Sequence, residues 1–563
     1  MRGLRGPVAV GVIGALALAA GACGGSSNSS SSGDNSGGSP ASKGQTGGTV
    51  TVLMGTAPDY LDPQFGYTTQ SAESTWISYL GLYTYAHKSG QEGGKLIPAL
   101  ADAPPTITDN GKTYTITLRK GLKYSDGSAV KASDFPYTIQ RAIKAPWGGK
   151  SFFTGYIAGA QAFDAGKAKS IAGIKADDAT GKITIRLTQA YGAFANVLAF
   201  PAAGFVPTGT KIANLSNNPP PGVGPYMIKD VVPNRSWSVV RNPDWNDNLV
   251  PGVPAGKVDI NAKIASNTQT EAEQVLNNQA DVFDSGDQLP PSLVGQVNAQ
   301  AKDRFQLVPQ ISTFYFFLNT QTKPFNNELA RQAVNTALDR RALARIGGGN
   351  YKPTCWFLPE GLVGHPTSPC PYGDPNKPPD MAKAKQLLQQ SGMAGESVTV
   401  WGQQRSPRKE FVAYYTDLLN KLGFKAKSKI IADAQYFPTI GNLKSNPQTG
   451  FADWIQDFPN PSDFYLLLDK NTIQPTNNQN FSQVSDPKIQ ADLAKLNPVP
   501  ASKLDSVATD WQQLDEYTAK KAYVAVYGQQ QAPKFFSNRV NFATAVFTPL
   551  YGNDWSSFEL NSN

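Results

Sequence analysis

The sequence predicts a mixed α/β protein of more than one domain, and three observations carry that prediction. Tyr114, Ile116 and Leu118 alternate with Thr115, Thr117 and Arg119, the period of a half-buried strand, and Phe135, Ile139, Ala142 and Ile143 then share one helical face. Residues 313–319 form a second apolar strand, behind which positions 330, 333, 334, 337 and 338 fall on one side of a helix. A chain of 563 residues is also longer than a single hydrophobic core sustains.

In order along the chain, Arg2 and Arg5 precede an apolar stretch from Val8 to Ala20, and Ala20-Gly21-Ala22 lead into Cys23. This is the form of a secretory signal over 1–22. Small residues directly before a cysteine resemble a lipoprotein lipobox, which implies that Cys23 carries lipid; the alternative is an ordinary signal peptide cleaved nearby. Residues 24–48 are almost entirely Gly, Ser, Asn and other small polar groups, a flexible tether with nothing to bury. No later apolar run approaches the ~20 residues of a membrane span. The net charge of +8 comes from scattered Lys and Arg, a solvated surface that argues against nucleic acid as a partner.

Residues 49–54 read as a buried first strand. Asp126-Gly127 is turn chemistry, Ser133 is the expected N-cap of the helix after it, and Pro136 suits a first helical turn. Gly222-Val-Gly-Pro-Tyr226 reads as a turn, because Pro225 stands where a phosphate-cradling helix would have to open. Helices are expected over 331–340, over 381–388 with a stop near Gly392, and over 511–521, followed by a strand at 523–527. Cys355 and Cys370 bracket a Pro- and Gly-rich loop. In an exported chain they are expected to form a disulfide, and closing a loop of ~15 residues contributes about 3 kcal/mol. A redox or metal pair is the alternative, but the spacing is not C-x-x-C.

Leu118-Arg119-Lys120-Gly121 through Tyr124, Asp126-Gly127, Ala132 and Asp134 closely resembles the signature of the family 5 extracellular solute-binding proteins of ABC importers. Further landmarks follow in the family's order: Leu61-Asp62-Pro63, Gly222 to Tyr226, Arg241-Asn-Pro-Asp-Trp245, Arg331 to Arg340, and Ala384-Lys-Gln-Leu-Leu388. The resemblance implies a two-lobed periplasmic-binding-protein (Venus-flytrap) fold with a discontinuous first lobe, 49–312 with 528–563, and an inserted second lobe, 313–527. The hinge would lie near 310–318 and 525–532. It also implies a peptide or another small solute as ligand, a membrane permease as partner, and a lipid-anchored place on the outer face of the cell membrane.

By the family's W-x-x-D motif, Trp454 and Asp457 are the ligand-site candidates, with Asp457 meeting a peptide's α-ammonium. A carboxylate only accepts, and charge-assisted bonds in a desolvated cleft are roughly twice as strong as neutral ones. The plain alternative is that Asp457 organises the turn at Phe458-Pro459. Tyr436 and Phe437 occupy the place of the family's aromatics over the ligand, and Tyr60 is the candidate from the first lobe. The chain has two histidines, no G-x-S-x-G and no H-E-x-x-H, so an enzyme, a metal site and a cofactor are not expected. A carboxylate-dependent hydrolase and an oligosaccharide-binding version of the same transport protein remain as alternatives.

Overall fold

Three main sheets organise the chain in the computed structural model, which describes residues 47–284 and 286–562. The signal, Cys23 and the tether up to residue 46 lie outside the described residues. The first sheet has five strands in the order Val282–Phe283, Thr49–Met54, Asp259–Ile264, Ser236–Arg241, Tyr226–Val232. Beside it stands a four-stranded antiparallel sheet, Thr106–Thr108, Thr113–Thr117, Lys182–Arg186 and Ile174–Asp177. Seven strands make the third sheet, in which Val524–Phe535 pairs with Ser312–Leu318, Tyr351–Pro353 and Phe305–Pro309. Its far side runs through Thr449–Ile455 and Ser397–Gln403 to the edge strand Lys425–Ile431.

The buried apolar residues fall into separate clusters. One gathers side chains from Val50 to Val282 with Phe536, Val540, Leu550, Trp555 and Phe558. Another runs from Phe314 to Tyr527, and a small third one packs the helix Thr268–Leu276 and Phe535 against Leu53. The strand expected over five residues at 523–527 is twelve residues long, Val524–Phe535, because its continuation finds a partner in Phe305–Pro309. Val524 to Tyr527 lie in the second cluster, Phe535 in the third and Phe536 in the first.

The motif residues hold backbones together. Asp62 and Arg141 form a bidentate pair, Nη1 to Oδ1 and Nη2 to Oδ2 both at 2.6 Å, with both side chains fully buried. Arg141 spends its other donors on the Gln64 side chain and the carbonyls of Lys211 and Ala213, and Asp62 accepts from the Leu215 amide. A Cβ on Gly224 would stand 2.3 Å from the Ile77 carbonyl oxygen, so only glycine admits that backbone. Asn242 of the 241–245 motif donates to the Gly224 carbonyl, locking the two turns to each other. Gly127, at φ +83°, closes the turn on the Tyr124 carbonyl as expected.

Two local expectations are corrected. Ser133 does not cap the helix Asp134–Lys144 with its side chain, because Asp178 takes both its amide and its hydroxyl; the Asp134 carboxylate accepts from the Lys131 and Thr208 amides instead. The helix expected over 331–340 is two, Glu328–Ala337 and Arg340–Ile346, because Asp339 caps the second by accepting from the Arg341 and Ala342 amides. The arginines at either end are buried and donate to carbonyls, Arg331 to Phe325 and Lys521, Arg340 to Thr354 and Val526. The helix Met381–Ser391 ends at Gly392 in the left-handed conformation, as read from the sequence. Cys355 and Cys370 are disulfide-bonded with Cα atoms 6.1 Å apart.

Removing one partner of the Asp62–Arg141 pair leaves a buried charge alone, so Arg141→Met is expected to lose about 3–5 kcal/mol by denaturant titration. The double variant Asp62→Leu with Arg141→Met is expected to lose less than either single change.

Candidate ligand-binding site

Asp457 lies just beyond the strand Thr449–Ile455, in the turn Asp457 to Asp463. That turn is held without its carboxylate. The Asp463 carboxylate accepts from the Asp457 amide at 2.7 Å, and the Asn460 side chain accepts from the Ser462 amide at 3.0 Å. Asp457 is half-buried, and the Tyr67 hydroxyl, 390 residues away in the chain, donates to its carboxylate at 2.6 Å. The turn-organising role considered for Asp457 thus belongs to Asp463 and Asn460.

Tyr67 is placed by its own loop. Asp59 accepts from the amides of Tyr60 and Tyr67 and from the Thr68 hydroxyl, and Thr68 caps the helix Thr69–Thr75. Trp147 meets the Tyr67 ring edge-on at 5.8 Å and Trp454 meets it at 6.5 Å. Gly148 allows this approach, since a Cβ there would stand 2.5 Å from the Tyr67 ring. Around this contact the surrounding segments are packed together. Phe458 packs among Phe152 and Phe200, Tyr191 and Ser462 share a hydrogen bond, and the Gly192 amide donates to the Asn497 carbonyl.

Burial pushes the Asp457 carboxyl up to about 7, with the Tyr67 hydrogen bond pulling it partly back. Asp463 is pushed well above the usual carboxylate range, first by burial and then by the charge of Asp457. Among the described residues no Lys, Arg or His forms an ion pair with either. The arrangement is two carboxylates beside an aromatic wall.

The candidates read from the sequence separate here. Asp457 and Trp454 come together. Tyr436 does not join them: it is fully buried in the second core, and its hydroxyl donates to the carbonyls of Trp401 and Phe451. Phe437 stacks on Phe481 within that core. Tyr60 packs edge-on against Phe65, and the ring that meets Asp457 is that of Tyr67, seven residues on. Tyr67 escaped the sequence reading; an aromatic directly before a Thr helix cap was its only signal. His87 accepts or donates to both Asp554 and Ser556 through Nδ1, which cannot serve a nucleophile, because a triad needs the serine on the other ring nitrogen.

Residues 95–475 match the family model described as bacterial extracellular solute-binding proteins, family 5 middle. The chain belongs to this family. It is a transport-type binding protein of the kind that serves ABC importers, works outside the cytoplasm and is not an enzyme. The periplasmic murein peptide-binding protein MppA of Escherichia coli K12 is 26% identical over 442 residues, 74% of this chain and 78% of that one. The glutathione-binding protein GsiB of Salmonella choleraesuis is 28% identical over 431 residues, 72% and 76% of the two chains. Among solved structures, the clavulanic acid biosynthesis oligopeptide binding protein 2 superposes with a TM-score of 0.83 at 21% identity, covering 92% of this chain and 96% of that one. The E. coli murein tripeptide binding protein MppA superposes at 0.76 (20% identity, 93% and 100% covered), and its unliganded open form at 0.67 (21%, 93% and 99%). These likenesses give the two-lobed α/β fold.

A folded-state carboxyl raised above its unfolded value of ~3.9 keeps its proton to higher pH, so ionising it costs stability that accumulates between the two values. Since Asp457 is raised to about 7, Asp457→Asn is expected to stabilise the unliganded protein at neutral and higher pH. The gain, at most about 2 kcal/mol after solvent screening, should shrink as pH falls toward the unfolded value. Thermal melts across pH check it; a variant with no gain at any pH contradicts it.

Proposed function

We propose that the protein captures peptides through a free α-ammonium at Asp457 and delivers them to a membrane permease. The observation that supports this most is that the Asp457 carboxylate is spare. It takes no part in its own turn, faces Tyr67 across the cleft and has no cationic partner among the described residues. An ammonium arriving there meets an acceptor-only group and aromatic faces that favour cations. Trp454 and Tyr67 form the wall on which the first residue of the peptide rests. MppA and GsiB are named for peptide ligands, which agrees with the same ligand class here. Lobes of 49–312 with 528–563 and of 313–527 divide the chain so that each supplies one side of this contact. Ligand binds both lobes together and shifts the protein from open to closed through its higher affinity for the closed state.

Calorimetry with two proteins and two ligands tests the site. Asp457→Ala is expected to weaken binding of a free peptide by about 2–5 kcal/mol, because the ammonium is left desolvated and unpaired. N-acetylation of the peptide should cost a similar amount with the native protein and little more in the variant. Equal binding of free and acetylated peptides to the native protein would remove the amine anchor and favour an uncharged solute, such as an oligosaccharide, stacked on the aromatic wall.

We further propose that Cys23 carries the lipid that keeps the protein at the outer membrane face, with residues 24–48 as its tether. The small residues before Cys23 support this. Cys23→Ala should abolish metabolic fatty-acid labelling and release the protein into the medium; label retained by the variant would refute it.

A further inference from the structure

One backbone contact between distant segments depends on a missing side chain and uses none of the groups at Asp457. The Gly192 amide donates to the Asn497 carbonyl at 2.8 Å. A Cβ on Gly192 would stand 1.7 Å from the Val499 carbonyl oxygen, 2.5 Å from the Val499 carbonyl carbon and 3.1 Å from the Pro500 nitrogen. These three nearest atoms all belong to the facing segment. The φ of Gly192 lies outside the left-handed region, so its own loop does not call for glycine. Both backbones are held from within their own segments. The Tyr191 ring is buried and lies flat on Tyr156 at 4.1 Å, and the Tyr191 carbonyl accepts from the Tyr114 hydroxyl and the Phe194 amide. On the facing side the Val499 amide donates to the Leu496 carbonyl, at the end of the helix Pro487–Leu496. Pro498 and Pro500 flank Val499 and stiffen the turn, since each fixes its own φ. Tyr191 and Ser462 add a side-chain hydrogen bond of 3.1 Å to the same contact.

We infer that Gly192 is a positioning residue for ligand capture: its bare backbone lets the two lobes dock, and a side chain there holds them apart. This rests on the lobes proposed above, which put Gly192 in 49–312 and Asn497 to Pro500 in 313–527. The atoms that oppose a Cβ most closely come from the other lobe, so each lobe by itself accommodates the substitution. In the docked form an approach of 1.7 Å is far inside any contact distance, and close-packed segments yield little to an added group. The cost of a side chain at 192 therefore falls on the docked form alone. That moves the population toward the open form and weakens every ligand that binds both lobes, while the groups at Asp457 stay unchanged.

Hydrogen exchange at the amide of residue 192 and small-angle scattering of the full chain test it, alone and with a tryptic digest of casein as the source of peptides. The native Gly192 amide is expected to exchange slowly in the presence of the digest. Under the same conditions Gly192→Ala should exchange at residue 192 about tenfold faster or more and keep a larger radius of gyration. Gly192→Val should go at least as far, and circular dichroism should find both variants folded. Protection given equally by an N-acetylated digest supports the inference while removing the amine anchor at Asp457, so the two readings fail separately. If Gly192→Ala exchanges and contracts as the native protein does, the inference is overturned. A native amide unprotected with and without the digest overturns it too. So does a Gly192→Ala protein that fails to fold, because a side chain opposed by the other lobe leaves each lobe intact.

Discussion

The strand Val524–Phe535 is the constraint on which the architecture depends. At roughly 3.3 Å per residue its twelve residues span about 40 Å, enough to leave one hydrophobic core and enter another without a loop. Its first residues pair with Phe314–Phe317, its middle with Tyr351–Pro353 and its end with Phe305–Pro309. Phe536, the next residue, bridges Val282 at the edge of the first sheet. Both cores therefore grow from one continuous hydrogen-bonded element. The register shift between Phe314 and Tyr315 lies on this strand's pairing, where the ladder passes from one partner to the next. An extra residue there bends and twists the strands locally.

Most of the polar residues in the motifs are occupied in holding this framework. Asp62 and Arg141 neutralise each other and tie the 61–64 loop to the segment 211–215. Arg331 donates to the carbonyls of Phe325 and Lys521, and Arg340 to those of Thr354 and Val526. Gly224 and Asn242 let two turns interlock. Residues of these kinds look functional when read singly, yet each finds partners inside the fold. Asp457 stands apart because the neighbouring Asp463 and Asn460 have taken over the turn around it.

The cleft then carries two electrostatic contacts of opposite kind. At Tyr67 and Asp457 a phenol meets a carboxylate, a neutral donor that holds the acceptor in place and leaves its charge uncompensated. At Arg405 and Asp287 a guanidinium donates to a carboxylate at 2.9 Å. Desolvation makes both stronger than they would be in water.

Strand Thr113–Thr117, the turn at Gly127 and the helix Met381–Ser391 with its glycine stop were legible because period and turn chemistry are local. Motif order along the chain made the two-lobed fold legible too, and it singled out Asp457 and Trp454, which both lie against Tyr67. Tyr436 and Phe437 were misplaced because an aromatic near a motif is equally at home in a core, and only packing decides which way the ring faces. Tyr67 was missed for the converse reason: 390 residues separate it from Asp457, and no local pattern records that contact. The same holds for Arg405 and Asp287, 118 residues apart. The sequence by itself determined where period and turn chemistry mark strands and helices and which family of folds they build, but not where every element ends. Only the tertiary structure decided which charges face each other across the cleft, because that depends on where separate cores dock and not on any spacing within the chain.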